Sequence, residues 1–281
     1  MTMNKKKENE IRTNQQDFVN AVSKLVVNGR SQMGECFDVF LDLHLQFFCN
    51  NVNERQKYLF EYMKKDDEFR DNLILAMRQF GDLSMNYHDA LGELFTVHIT
   101  KGEHGQFFTP ENITYLMTQI AMPDRKARNV YDCACGSGRT LLSALRQARE
   151  QGKEILCYGN DISMTCSKMT LLNLLVNSAG GEVTCGNALL SNTDTFTFFH
   201  IDQVKHYPSG RVMSTYWQYN KNNVDEVNKE REEWWLRIAK FGWLKYYPVF
   251  DDETPKDEKE TQPLSTDVEY QKDSNGQLTL F

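Results

Sequence analysis

The chain has 281 residues, of which 40% are hydrophobic and 25% charged, a globular composition with room for one α/β core and a smaller helical region. No apolar run approaches the ~20 residues that span a bilayer, and the basic N-terminus leads into acidic residues, so the sequence predicts a soluble, cytoplasmic protein without a membrane partner. Seven cysteines without a C-x-x-C pair, and six scattered histidines, indicate reduced thiols and no metal site.

The net charge of −7 is concentrated at the C-terminal end. Residues 251–281 contain nine acidic and three basic residues, which leaves a net charge of only −1 on the 250 residues before them. A local basic cleft is therefore not excluded, and neither is nucleic acid as a partner.

Helical periodicity fills the N-terminal third of the chain. Phe18, Val22, Leu25 and Val26 recur at helical spacing, and similar patterns cover about 33–50, 54–64, 67–80 and 87–100. After them Thr109 is expected to cap the next helix, with Pro110 in its first turn. We therefore predict a helical region over 1–100.

Strand and helix patterns alternate after residue 128. Strands are predicted at 129–134, 154–159 and 182–185, with helices at 139–151 and 163–177 between them. This order predicts an α/β domain over 101–250 with a doubly wound, Rossmann-like parallel sheet, and leaves a truncated sheet open. Weaker patterns indicate a strand at 195–201 and a helix at 224–241, and residues 251–276 have the composition of a disordered tether.

A Gly-rich turn follows the first predicted strand, with the sequence Asp132-Cys133-Ala134-Cys135-Gly136-Ser137-Gly138. Glycines at this place let backbone amides approach a polar ligand closely, and Asp132 could accept an amide or ammonium donor. Ligands of such sheets lie at the carboxyl ends of the strands, where two further polar residues are expected.

The first of these is Asp161, which stands 23 positions after Gly138, a separation at which a carboxylate meets ribose hydroxyls. The second is Asn187, which could bind an adenine amine. Together they indicate a methyl donor such as S-adenosylmethionine. The alternative is an ordinary Gly-rich turn with Asp161 capping the helix near Ser163; a dinucleotide oxidoreductase is disfavoured because the turn is not G-x-G-x-x-G.

Four motifs together resemble the adenine-N6 DNA methyltransferases, and most closely the modification subunit of type I restriction systems. They are GQFFTP at 105–110, the D-x-A-C-G-S-G turn, the acidic end of the second strand and GNAL at 186–189. The resemblance covers about 89–190, although Cys133 replaces the family's usual proline. It implies a Rossmann-like methyltransferase fold, DNA as substrate, and a helical region flanking the DNA cleft.

The resemblance also implies S-adenosylmethionine as the cofactor. The expected cofactor-binding residues are Gln106, Phe107, Phe108, Thr109, Asp132, Ala134, Gly136, Ser137, Gly138, Asp161, Ile162, Asn187 and Ala188.

The family's catalytic motif, a D/N/S-P-P-aromatic tetrad after the fourth strand, is missing. Its acceptors and ring would hold the flipped base and its exocyclic amine. None of the six prolines is adjacent to another, so only Asp202 and Tyr207 stand near the expected place as weak candidates. The sequence predicts a methylase-family member that is truncated, degenerate or completed by a specificity or catalytic partner chain. A noncatalytic adaptor or regulator is the alternative.

The last five residues resemble the peptide by which bacterial proteins bind the replication sliding clamp. Two leucines and a terminal phenylalanine would supply apolar anchors and the glutamine a rim hydrogen bond. The expected partner-binding residues are Gln277, Leu278, Leu280 and Phe281. The alternative is a terminal strand that pairs with the core.

Overall fold

Helices make up most of residues 5–100, as predicted. They are α1 (Lys5–Ser23), α2 (Met33–Gln46), α3 (Glu54–Met63), α4 (Asp67–Leu83) and α5 (Ala90–Leu94), followed by a π-helical turn at Phe95–Thr100. Side chains fix several starting points: Asn53 forms a capping box with Gln56, and Asp66 caps α4. The hydrophobic faces meet in an aromatic cluster in which the ring of Phe40 lies 5.3 Å from that of Phe18 and 6.0 Å from that of Phe80.

The alternation of strands and helices that follows is also confirmed. The elements are α6 (Glu111–Ala121), β1 (Asn129–Asp132), α7 (Arg139–Glu150), β2 (Leu156–Asp161), α8 (Met164–Val176) and β3 (Gly180–Cys185). From β1 to β3 every boundary lies within two residues of its predicted position. Helix α6 begins at Glu111, and the carbonyl of Pro110 accepts the first helical bond from Thr114, 3.0 Å away.

The sheet is parallel from β1 to β3 and antiparallel beyond. Strand β4 (Thr197–His206) pairs with β3 and β5 (Val212–Asn220) pairs with β4, after which α9 (Val224–Phe241) leads to β6 (Leu244–Lys245). Within the described residues β1 pairs only with β2 and therefore forms one edge of the sheet, with all other strands on the same side of it. This arrangement corresponds to the truncated sheet that the sequence left open. Strand β4 consequently runs away from the edge at which β1 to β3 end.

The helical region is joined to the far side of this sheet through the segment after α2. Tyr216 of β5 donates to the carbonyl of Phe48 and accepts from the amide of Asn50, both at 2.9 Å. The Asn51 side chain bonds both the amide and the carbonyl of Gln218, at 2.8 and 2.7 Å, as a neighbouring strand would. Helical and α/β parts thus form one compact unit, Met1–Val249.

The computed structural model describes residues 5–100, 108–121, 128–189, 197–206, 212–220, 222–241, 244–245, 271–272 and 278–279. The second compact unit, Phe250–Phe281, contains two short strands, β7 (Gln271–Lys272) and β8 (Leu278–Thr279), which pair antiparallel. Most of the predicted tether lies outside the described residues. No helix in the described ranges is long and apolar enough to cross a membrane.

Candidate cofactor site

The carboxyl ends of β1, β2 and β3 meet at one edge and carry the predicted ligand groups. Asp132 ends β1, Asp161 ends β2, and Asn187 follows β3 by two residues. Backbone bonds tie these ends together, because the Cys135 amide donates to the carbonyl of Asn160 and the Gly186 amide to that of Asp161, each at 2.9 Å. The three groups that the sequence expected at a common edge therefore do lie there.

Both glycines of the turn adopt left-handed backbone angles, with φ of +56° at Gly136 and +83° at Gly138. A Cβ atom on Gly136 would lie only 2.8 Å from the ring of Phe108, the second phenylalanine of GQFFTP. Phe108 in turn stacks on Phe95, with 5.7 Å between ring centroids. The two sequence motifs are thus in contact, and glycine is required where they touch.

Asp161 is oriented by two backbone amides. Its Oδ2 accepts from Gly136 N at 2.9 Å and its Oδ1 from Ser163 N at 2.8 Å. The cap of α8 is supplied by the Ser163 hydroxyl, which accepts from Cys166 N, so capping does not account for Asp161. Each carboxylate oxygen has two lone pairs, and the half-buried Asp161 therefore keeps acceptor capacity for hydroxyl groups of a ligand.

Asn160, which sequence reasoning missed, fixes the loops on either side of Asp161. Its Nδ2 donates to the carbonyls of Cys133 (3.3 Å) and Gly186 (3.0 Å), and its Oδ1 accepts from Thr184 Oγ1 at 2.7 Å. The side chain is buried. A polar residue at the penultimate position of a buried strand is the signal that could have identified it.

The rim of the site is partly apolar. Ile162, directly after Asp161, is 72% exposed, and Leu189, two residues after the half-buried Asn187, is 93% exposed. The Asn187 Oδ1 accepts from Leu189 N at 3.0 Å, which holds the amide group at the end of β3 beside the exposed Ala188. Apolar side chains next to an amide suit the faces and edge of a purine ring.

The turn itself presents backbone more than side chains. Asp132 accepts from Ala134 N at 3.1 Å and is half-buried, while Cys133 and Ala134 are exposed. Cys135 points into the core, where burial raises the pKa of its thiol well above the usual range, so it is not a nucleophile.

A fully buried carboxylate, Asp89, contacts the turn. The hydroxyl of Ser137 donates to Asp89 Oδ2 at 2.5 Å, and Arg139 Nε donates to the same oxygen at 3.0 Å. Ser137 is 1% exposed, so this predicted cofactor residue faces Asp89 with its side chain and can offer only its backbone to a ligand. The sequence signal for Asp89 is its position as the N-cap of α5.

Asp202 does not lie at this edge. Because β4 runs antiparallel from Thr197, opposite Cys185, Asp202 stands five residues, or about 16 Å, toward the other end of the sheet. It is buried and bonds Trp217 Nε1 at 3.0 Å and Arg231 Nη2 at 2.8 Å. Burial opposes its ionisation, but His200 and Arg231 outweigh burial and lower the pKa of Asp202.

Several predicted residues lie outside the described residues. They are Gln106, Phe107, Tyr207, Gln277, Leu280 and Phe281. Leu278 belongs to β8, and Thr109 is held through its carbonyl by Arg139 Nη1 at 3.0 Å. In the described part of the chain no group of three or more His, Cys, Asp or Glu is placed to hold a metal ion.

A Gly-rich turn and a carboxylate at adjacent strand ends of a Rossmann-like sheet are typical of proteins that bind a nucleotide-like cofactor. The model of the family described as N-6 DNA Methylase matches residues 86–237, more than half of the chain. The chain therefore belongs to this family.

Individual relatives are type I methylase subunits. The chain is 31% identical to the type I restriction enzyme MpnII methylase subunit of Mycoplasma pneumoniae over 143 residues, covering 50% of this chain and 24% of the relative. It is 28% identical to the MjaIX methylase subunit of Methanocaldococcus jannaschii over 125 residues, covering 43% of this chain and 21% of the relative. The chain thus spans about a quarter of these relatives.

Among solved structures, it is similar to a type I restriction-modification system methyltransferase subunit from Streptococcus thermophilus. The TM-score is 0.39 at 14% identity, with 66% of this chain and 60% of that chain covered.

Proposed function

We propose that the chain binds S-adenosylmethionine at the carboxyl ends of β1, β2 and β3. The observation that carries this proposal is the bond between the Gly136 amide and Asp161, which places a half-buried carboxylate with spare lone pairs beside the glycine turn. Asp161 would hold the ribose hydroxyls, and the backbone from Gly136 to Gly138 would approach the methionine end. Ile162, Asn187 and Leu189 would bind adenine. The bound cofactor would supply an activated methyl group.

Calorimetry with S-adenosylmethionine tests this assignment. We expect Asp161→Ala to weaken binding at least about tenfold, because ribose acceptors and the link to the turn are lost together. Asp66→Ala is the matched control, since Asp66 also accepts a backbone amide but caps α4 in the helical region. Equal affinities of wild type and Asp161→Ala, or no binding by the wild type, would remove the assignment.

We further propose that the chain acts on DNA in a restriction-modification context, together with a partner chain. Its family and its relatives support this function. A partner chain is inferred because the sequence lacks the adjacent prolines of the catalytic motif and because Asp202 is buried away from the cofactor edge. The partner would be a specificity chain or would supply the missing catalytic groups. Incubation of the purified chain with labelled donor and mixed DNA should give no incorporation, and clear incorporation would establish autonomous catalysis.

A noncatalytic adaptor is the second candidate, and the same two observations favour it. Such a protein would keep the cofactor fold and reach DNA through the sliding clamp by its last five residues, which would raise its local concentration on DNA. Deletion of residues 277–281 should abolish capture of the chain by immobilised clamp. Substitution of Leu264, in the same acidic segment, by alanine should leave capture intact. Retention of binding by the deletion variant would exclude this route.

A further inference from the structure

We propose that Asp89 is a positioning residue that couples the Gly-rich turn to the GQFFTP segment and thereby sets the affinity for the cofactor. This inference rests on the proposed function, since it concerns the same site. Asp89 lies 48 positions before Ser137 in sequence, and no ligand-binding pattern includes it.

The Asp89 carboxylate is fully occupied by protein donors. Its Oδ1 accepts from Gly92 N and from Asn173 Nδ2, both at 2.9 Å, and its Oδ2 accepts from Ser137 and Arg139. Four donors fill the four lone-pair positions of a carboxylate, and the residue is only 2% exposed. Asp89 therefore has no capacity to bind a ligand, and any influence on the site passes through its partners.

Those partners connect Asp89 to both motifs of the site. Ser137 is the central residue of the Gly-rich turn, and Asn173 holds the same residue from α8 by donating to its carbonyl at 2.9 Å. Arg139 bonds Asp89 with Nε and the carbonyl of Thr109 with Nη1. One carboxylate thus fixes the turn directly and the end of GQFFTP through a single arginine.

Two features show that the surrounding side chains are arranged around this carboxylate. A Cβ atom on Gly92 would overlap the Asp89 carboxylate and the Ser137 hydroxyl, so glycine is needed for their approach. Asn173 is fully buried and directs its amide NH2 to Asp89, while its Oδ1 has no partner among the described residues. An unpartnered buried acceptor is costly, so the orientation of Asn173 is set by the charge of Asp89.

Gly92→Ala tests the inference with one added methyl group, and Gly81→Ala is its matched control. Gly81 is also a helix glycine, but a Cβ atom there would meet nothing within 4 Å. Hydrogen exchange at residues 134–138 is measured on both variants without ligand, and the affinity for S-adenosylmethionine is measured by calorimetry. We expect Gly92→Ala to raise exchange at the turn and to weaken binding, each about tenfold, and Gly81→Ala to change neither.

Ser137→Ala serves where Gly92→Ala fails to fold, because it removes the link from the turn without adding atoms. It should likewise speed exchange at the turn and weaken binding severalfold. Unchanged exchange and affinity in a folded Gly92→Ala or Ser137→Ala variant would overturn the inference, as would a loss of stability without faster exchange at the turn. A wild type that binds no S-adenosylmethionine refutes the proposed function, yet exchange without ligand still decides whether Asp89 holds the turn.

Discussion

Gly136→Ala is expected to weaken binding of S-adenosylmethionine at least about tenfold while the protein stays folded. Two effects combine at this position. The backbone has φ of +56°, which costs an alanine about 1 kcal/mol, and the new Cβ atom would lie 2.8 Å from the Phe108 ring. Phe108 or the turn must therefore move, and either shift alters the backbone at the proposed cofactor site. Calorimetry, with thermal unfolding as a check on folding, measures the effect.

Gly152→Ala separates these two effects. Gly152 has φ of +71°, so alanine meets similar backbone strain, but a Cβ atom there would have no neighbour within 4 Å. We expect this variant to lose about 1 kcal/mol of stability and no affinity. If Gly136→Ala behaved in the same way, the contact between Phe108 and the turn would not belong to the cofactor site.

Asp202→Asn is expected to lower the free energy of unfolding by about 3 kcal/mol and to leave the affinity for S-adenosylmethionine unchanged. The neutral amide removes the charge that Arg231 and His200 face, and its NH2 group must meet either the Trp217 indole N–H or the Arg231 guanidinium, which are both donors. Urea unfolding monitored by fluorescence and calorimetry on the folded variant give the two quantities.

Asp42→Asn provides a comparison for Asp202→Asn within the helical region. Asp42 is also buried and is held by two cations, Arg55 and Lys168. Both variants should lose stability to a similar extent. A stable Asp202→Asn protein that had lost a methyl-transfer activity present in the wild type would instead make Asp202 part of the catalytic machinery.

Local sequence patterns were sufficient to predict the elements from β1 to β3. Each helix there begins after a turn residue such as Gly138 or Ser163, which the sequence displays directly, and the strands occupy the short segments between these helices. Asp161 could be predicted for a related reason, because its distance from the turn reflects the length of one helix and one strand.

The remaining features depend on partners distant in sequence. Strand β5 was not predicted, and the antiparallel course of β4 follows from pairing across the sheet, which local periodicity does not encode. Asp89 was not singled out from the sequence, because only the fold brings Ser137 and Asn173 to it. Asp202 is the opposite case. Its position in the sequence, near the expected catalytic strand, suggested a catalytic role, but its burial toward the other end of the sheet does not support that role.

The exposed thiol of Cys133 is a site in the turn at which the protein can be chemically labelled. Burial raises the pKa of the six other thiols, and raises that of Cys157 and Cys166 to about 12. Cys133 is exposed whereas the other thiols are buried or half-buried, so we expect alkylating reagents to modify Cys133 ahead of the rest. A fluorophore attached there would sit one residue after the end of β1, and we expect it to report binding of the proposed cofactor without any engineered cysteine.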